Sequence, residues 1–196
     1  MEIDKKLKSK LLPIALTIIV VVLDQITKML VVRFIPMNTI GTQFFGDFLR
    51  IIHVRNPGVA FSVGAGLSYS IRRVLFSIVP VIVLVLVLVI YFRNSDFTKL
   101  QRWAICGIVG GGFGNIIDRI FRPAGVVDFI DVKFYGLFGF DRWPTFNIAD
   151  SAVVVCGILL IISFIIAVVK DAKAKSAKST ENSIDKSIEK SAQNEE

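Results

Sequence analysis

Trp143-Pro144-Thr145-Phe146-Asn147-Ile148-Ala149-Asp150-Ser151-Ala152-Val153 is the stretch whose reading decides the fold. Pro144 fixes its own φ and ends any helix before it, and a new element opens readily just after a proline. Asn147 and Asp150 are three residues apart, so on a helix they share a face. From 152 to 169 almost every residue is apolar, which is long enough to cross a bilayer. A carboxylate in the first turns of a membrane helix is costly. It marks either a functional group or a helix cap at the headgroups, and position alone leaves both readings open.

Outward from this stretch the same grammar repeats. Upstream, 103–121 is an apolar run rich in glycine, from Gly107 to Gly114, that closes on Asn115, Asp118 and Arg119. Small residues of this kind let membrane helices approach closely. A polar loop separates it from 73–93, a Val/Leu/Ile run interrupted only by Pro80, which a membrane helix tolerates. The segment 36–70 mixes Phe, Ile and Val with Gly and Pro, and reads as short strands and turns. The first apolar run, 11–35, contains Asp24, Gln25 and Lys28. Its basic start resembles a secretory leader, but no small-residue cleavage site follows and the apolar stretch continues past Lys28, so it reads as a retained span. Downstream, 171–196 is Ser-, Lys- and Glu-rich and reads as a disordered tail.

The chain of 196 residues is 54% hydrophobic with a formal net charge of +7. Cytoplasmic Lys and Arg explain that charge in a membrane protein, so no nucleic-acid partner is called for. Cys106 and Cys156 lie inside apolar runs and there is a single histidine, His53. This gives neither a disulfide framework nor a metal cage, and no cofactor is expected. With four spans both termini share a side. Lys5, Lys6, Lys8, Lys10, Arg93, Lys99, Arg102 and Lys170 crowd that side over short lengths, which makes it cytoplasmic.

The topology brings scattered polar residues to one depth. Asp24 lies about 20 Å along the first span from Leu11, in its outer half. Asn115, Asp118 and Arg119 close the third span on the outside, and Asn147 and Asp150 open the fourth there. Asn56 and Asp128 fall in the outer loops. Ser62 and Ser151 have no Lys or His base nearby in sequence, and His53 has no partner motif. Paired carboxylates remain, since two that sit close together share a proton and divide the roles of acid and base toward water and a carbonyl. Asp24, Asp118, Asp128, Asp131, Asp141 and Asp150 are all candidates. A proton-coupled transporter is the main competing reading, but it calls for charges in mid-membrane and 74–92 has none. A non-catalytic scaffold built on the glycine-rich helix is the third.

Five motifs in order narrow the choice: Asp24-Gln25-Ile26-Thr27-Lys28, Arg55-Asn56-Pro57-Gly58-Val59-Ala60-Phe61, Gly114-Asn115-Ile116-Ile117-Asp118-Arg119, Val127-Asp128-Phe129 and Phe146-Asn147-Ile148-Ala149-Asp150-Ser151. Together they resemble the bacterial lipoprotein signal peptidase (signal peptidase II) family. The resemblance implies an aspartic endopeptidase that removes the signal peptide from diacylglyceryl-modified prolipoproteins, cutting before the lipidated cysteine. It implies a mainly α membrane protein, a four-helix bundle carrying a small extracytoplasmic sheet and a short surface helix. Residues 1–170 form one membrane-embedded peptidase domain and 171–196 a cytoplasmic tail. Asp128 and Asp150 become the catalytic pair. Asn56, Asn115, Arg119 and Asn147 become residues that position substrate or orient the carboxylates, with Asp24 and Lys28 a pair beside them. Partners are lipidated prolipoproteins and membrane lipids, with the chain acting as a monomer at the outer face of the cytoplasmic membrane. The segments 121–125 and 133–142 are long for the pattern, which leaves the cover over the site open in shape.

Overall fold

The structure is a computed structural model that describes residues 2–58 and 68–192; the 59–61 end of the motif that begins at Arg55, and Ser62, lie outside them. Helix α1 covers Glu2–Leu11 and α2 Ile14–Phe34. Pro13 sits at the N-cap of α2, where its missing N–H costs no helical bond. The sequence reads 1–10 only as a polar lead-in, yet its Glu and Lys residues are adequate helix formers and it makes a helix of its own. Helix α3 spans Tyr69–Arg93 and runs through Pro80, α4 spans Lys99–Phe121, and α5 spans Ile148–Ala192. Thr98 and Gln101 form a reciprocal capping box that starts α4.

Among the described residues four stretches are long and apolar enough to cross a membrane: Leu7–Phe34, Val74–Arg93, Lys99–Phe121 and Ile148–Lys175. They coincide with the expected spans. The helix of the last one, however, does not stop near 170, where disorder was expected. Ala, Lys and Glu dominate its continuation, and adding residues to an existing helix avoids the cost of a new nucleus.

Helix α4 is the axis of the bundle, touching α2, α3 and α5. Its glycines explain why it can. A Cβ at Gly111 would collide with the Ala149 carbonyl, and one at Gly114 would lie 2.6 Å from Asp24 Oδ2. Outward faces such as Ile78, Ile82 and Leu86 on α3, and Val154, Ile158 and Ile161 on α5, are exposed, as expected of surfaces that meet lipid.

A three-stranded antiparallel sheet, β1 Ile40–Phe44, β2 Leu49–Asn56 and β3 Val126–Val132, caps one end of the bundle in the order β1-β2-β3. In β3 Val127 and Phe129 pack against Val31 of α2. Side chains alternate across a strand, so Asp128 points to the opposite face, and its register partner on β2 is Val54. Among the described residues the outer loops hold one short 3-10 turn, Leu137–Gly139.

Candidate active site

The site is built on the first turn of α5. Asn147 precedes the helix and acts as its cap: the Asp150 N–H donates to Asn147 Oδ1 at 2.9 Å, and the Asn147 N–H donates back to Asp150 Oδ2 at 3.1 Å. This is the reciprocal geometry of a capping box, made here by Asn and Asp. The carboxylate of Asp150 is thus part of a helix cap, and it also meets a cluster of polar groups. Its other oxygen, Oδ1, accepts from Asn115 Nδ2 at 2.7 Å.

Asn147 also joins the two carboxyls. Its Nδ2 donates to Asp128 Oδ1 at 2.7 Å and lies 3.1 Å from Asn115 Oδ1. Asp128 Oδ2 accepts from Asn56 Nδ2 at 3.1 Å. Asn56 in turn accepts the Gly58 N–H at 2.9 Å, which fixes its amide. Burial pushes the Asp128 carboxyl up to about 7, and the neighbouring Asp150 charge adds to the rise, while the bonds from Asn56 and Asn147 oppose it.

Beneath the pair lies a fully buried ion cluster. Lys28 Nζ is 2.8 Å from Asp24 and 3.2 Å from Asp118, and it donates to Asn115 Oδ1 at 2.9 Å. Asn115 thus relays the ammonium charge to Asp150. Asp24 Oδ1 accepts the Ala149 N–H at 3.0 Å, and Asp118 Oδ2 accepts the Val127 N–H at 2.9 Å. These two bonds hold the residues immediately beside Asp150 and Asp128. Gln25 bridges Asp24, Asp118 and the Gly114 carbonyl. Its place was missed from the sequence, although it lies inside the first motif.

Arg119 directly follows Asp118, but on a helix neighbouring residues do not face each other, and the partners of Asp118 are Lys28 and, one turn on, Arg122. Arg119 lies within reach of the charges of Asp150, Asp128 and, more weakly, Asp118. Asp131 is not free to join the pair: Arg142 binds it through Nε at 2.7 and 2.8 Å. Asp141 is exposed. His53 is buried, with Nδ1 2.8 Å from the Ile35 carbonyl. Ser151 donates its hydroxyl to the Asn147 carbonyl at 2.9 Å.

The segment over the site is pinned rather than loose. Lys133 and Arg142 converge on Asp47 of the β1–β2 turn, and Phe134 stacks on Trp143 with centroids 4.9 Å apart. Between that segment and α5 is an apolar cavity of about 390 Å³, bordered by Phe134, Trp143, Phe146, Asp150 and Val154. Half-buried Asp150 opens onto it, and buried Asp128 is joined to Asp150 through Asn147. That arrangement suits general acid–base attack of water on a carbonyl.

Comparison with known proteins agrees with this chemistry. A family model described as Signal peptidase (SPase) II matches residues 16–166. A lipoprotein signal peptidase of Treponema pallidum (strain Nichols) is 53% identical over 165 residues, covering 84% of this chain and 89% of that protein. One from Treponema denticola is 48% identical over 168 residues, covering 86% of this chain and 96% of the other. A solved bacterial membrane enzyme, determined at 2.3 Å by the in meso method, superposes with a TM-score of 0.66 and 31% identity, covering 78% of this chain and 87% of its own.

Proposed function

The chain belongs to the signal peptidase II family, whose reaction is the removal of signal peptides from prolipoproteins, and we propose that Asp128 and Asp150 carry out that hydrolysis here. The protein is a multi-pass bacterial membrane aspartic peptidase. The observation that carries the assignment of the pair is Asn147, which donates to Asp128 and caps the helix turn that presents Asp150. Asp128, with its carboxyl raised to about 7, holds the shared proton and gives it to the scissile carbonyl oxygen. Asp150 takes a proton from the attacking water. Asn56, Asn115 and Asn147 keep the carboxyls oriented, Arg119 offsets charge beside them, and the Asp24–Lys28 pair supports the floor.

The substrate is a lipidated precursor cut before its diacylglyceryl cysteine. The apolar cavity beside Asp150 supports a substrate whose acyl chains or signal segment remain in an apolar setting while its backbone meets water. Incubation of the purified protein with a lipidated precursor peptide tests the reading. The expected product is a peptide with a new N-terminal lipid-modified cysteine; a folded protein that leaves the precursor intact overturns it.

Orientation follows the basic loops: both termini in the cytoplasm, the sheet and the carboxyl pair at the outer face. A cysteine placed at exposed Thr42 is expected to react with a membrane-impermeant maleimide in cells with an intact inner membrane, and one at Ser95 to stay unlabelled. The reverse pattern inverts the topology.

Cleavage is expected to persist undiminished in a strong chelator, because the acid and base are both supplied by carboxyl groups and one histidine offers no zinc cage. Loss of activity on chelation with recovery on added zinc would displace the carboxyl-only chemistry.

A further inference from the structure

The sheet-side end of α4 holds more positive charge than the hydrolysis uses. Arg119 and Arg122 border a small opening beside Asn56, walled by Pro57, Phe76 and Pro123, with about 30 Å³ of free space. That is room for the oxygens of one small group, not for a whole ligand. Arg55 on β2 adjoins it, close enough to feel the charges of Arg122 and Asp118. Arg55 Nε and Nη1 and Arg119 Nε are buried with no hydrogen-bond partner among the described residues. Buried guanidinium donors favour an anionic acceptor, ideally one with two oxygens.

The charges around the pair leave the same opening for an anion. Lys28, Arg55, Arg119 and Arg122 stand near Asp24, Asp118, Asp128 and Asp150. With one proton shared by the pair, four cations meet three carboxylates. A neutral substrate amide leaves that excess in place. Hydrolysis then adds the water oxygen to the scissile carbon and breaks its bond to nitrogen. The lipidated cysteine leaves as an amine, which takes up a proton, and the signal peptide ends in a carboxylate. This new negative charge forms beside an ionised Asp and is repelled by it.

We infer that the opening bordered by Arg119 and Arg122, with Arg55 next to it, receives the carboxylate that cleavage creates at the end of the released signal peptide. It draws that group off the pair and holds it, so the enzyme retains one of its own products. The inference rests on the hydrolytic reading above. It predicts that a signal-peptide segment ending in a free carboxylate inhibits cleavage more strongly than the same segment ending in a carboxamide.

The test compares inhibition constants of that acid and amide against cleavage of a lipidated precursor in detergent. The wild type is expected to prefer the acid by about tenfold, the usual value of one charge-assisted contact. Arg55→Gln, which breaks no ion pair among the described residues, is expected to reduce the preference to about twofold or less. Arg122→Gln is less suitable, because it also strips Asp118 of a partner and can fail to fold. Equal inhibition by acid and amide in the wild type overturns the inference without any variant, as does an undiminished preference in Arg55→Gln. Absence of precursor cleavage in the same assay would strike the hydrolytic reading instead, so the two failures are distinguishable.

Discussion

Asp128→Asn and Asp150→Asn are each expected to lose signal-peptide cleavage by at least about a thousandfold, while lipopeptide binding stays near normal. Asparagine preserves volume and keeps one of the two acceptor oxygens that each carboxyl offers to Asn56, Asn115 or Asn147, but it neither takes nor gives the proton that hydrolysis needs. The double variant is expected to be little worse than either single one, because the pair acts as a unit. The rate of the wild type falls on both sides of an optimum. Toward alkaline pH Asp128, raised to about 7, loses the proton it donates. Those apparent values belong to the pair.

Stability moves the other way. Between pH 4 and 7 folded Asp128 keeps a proton that the unfolded chain has already released, so the wild type loses stability as pH rises through that window. Asp128→Asn removes that loss. At pH 8 it is expected to melt above the wild type by about 2–4 °C for each kcal/mol recovered. Asp141→Asn, at an exposed position, serves as the control and retains activity. Cleavage rates, lipopeptide affinity and melting temperatures together decide. A well-folded Asp128→Asn or Asp150→Asn with ordinary turnover would take that residue out of the reaction.

Lys28→Met is expected to have the largest effect on stability. The methionine fills similar space, but two fully buried carboxylates, Asp24 and Asp118, lose the ammonium between them. Removing one partner of a buried pair typically costs about 3–5 kcal/mol, a large part of the 5–15 kcal/mol that holds an ordinary domain folded. Asp118 keeps Arg122 as a partner, so the damage centres on Asp24. Adding Asp24→Asn to Lys28→Met is therefore expected to recover part of the loss, a coupling that independent sites would not show. Yield of monodisperse protein and thermal unfolding in detergent provide the measurement. A Lys28→Met protein as stable as the wild type would mean that the cluster does not support the fold.

The spans were legible because an apolar run of about 20 residues has few other uses. The meeting of Asn56, Asn115, Asp128, Asn147 and Asp150 was legible in a coarser sense: topology put them at one depth, and the ordered motifs separated them from Asp131 and Asp141. What stayed hidden depends on contacts that periodicity does not carry. Asp118 pairs with Arg122 instead of its neighbour because of the helical turn. Asp131 is bound by Arg142 only because the chain folds back, with an isolated bridge pairing Lys133 and Arg142. The shape of the aromatic cover was left open, because its ion pairs to Asp47 come from a turn 86 residues away. The helical course after 170 was missed because polar composition was taken to mean no structure, whereas a helix already formed in the membrane extends cheaply.

Asn147 has a consequence for how the enzyme comes into being. Its side chain ties β3 to the start of α5, which is synthesised after β3. Until that helix inserts and docks against α4, Asp128 has no second carboxyl and Asn115 has nothing to orient. On the proposed assignment, hydrolytic competence waits for α5 to dock, so the order of synthesis serves this peptidase as a propeptide serves a secreted protease.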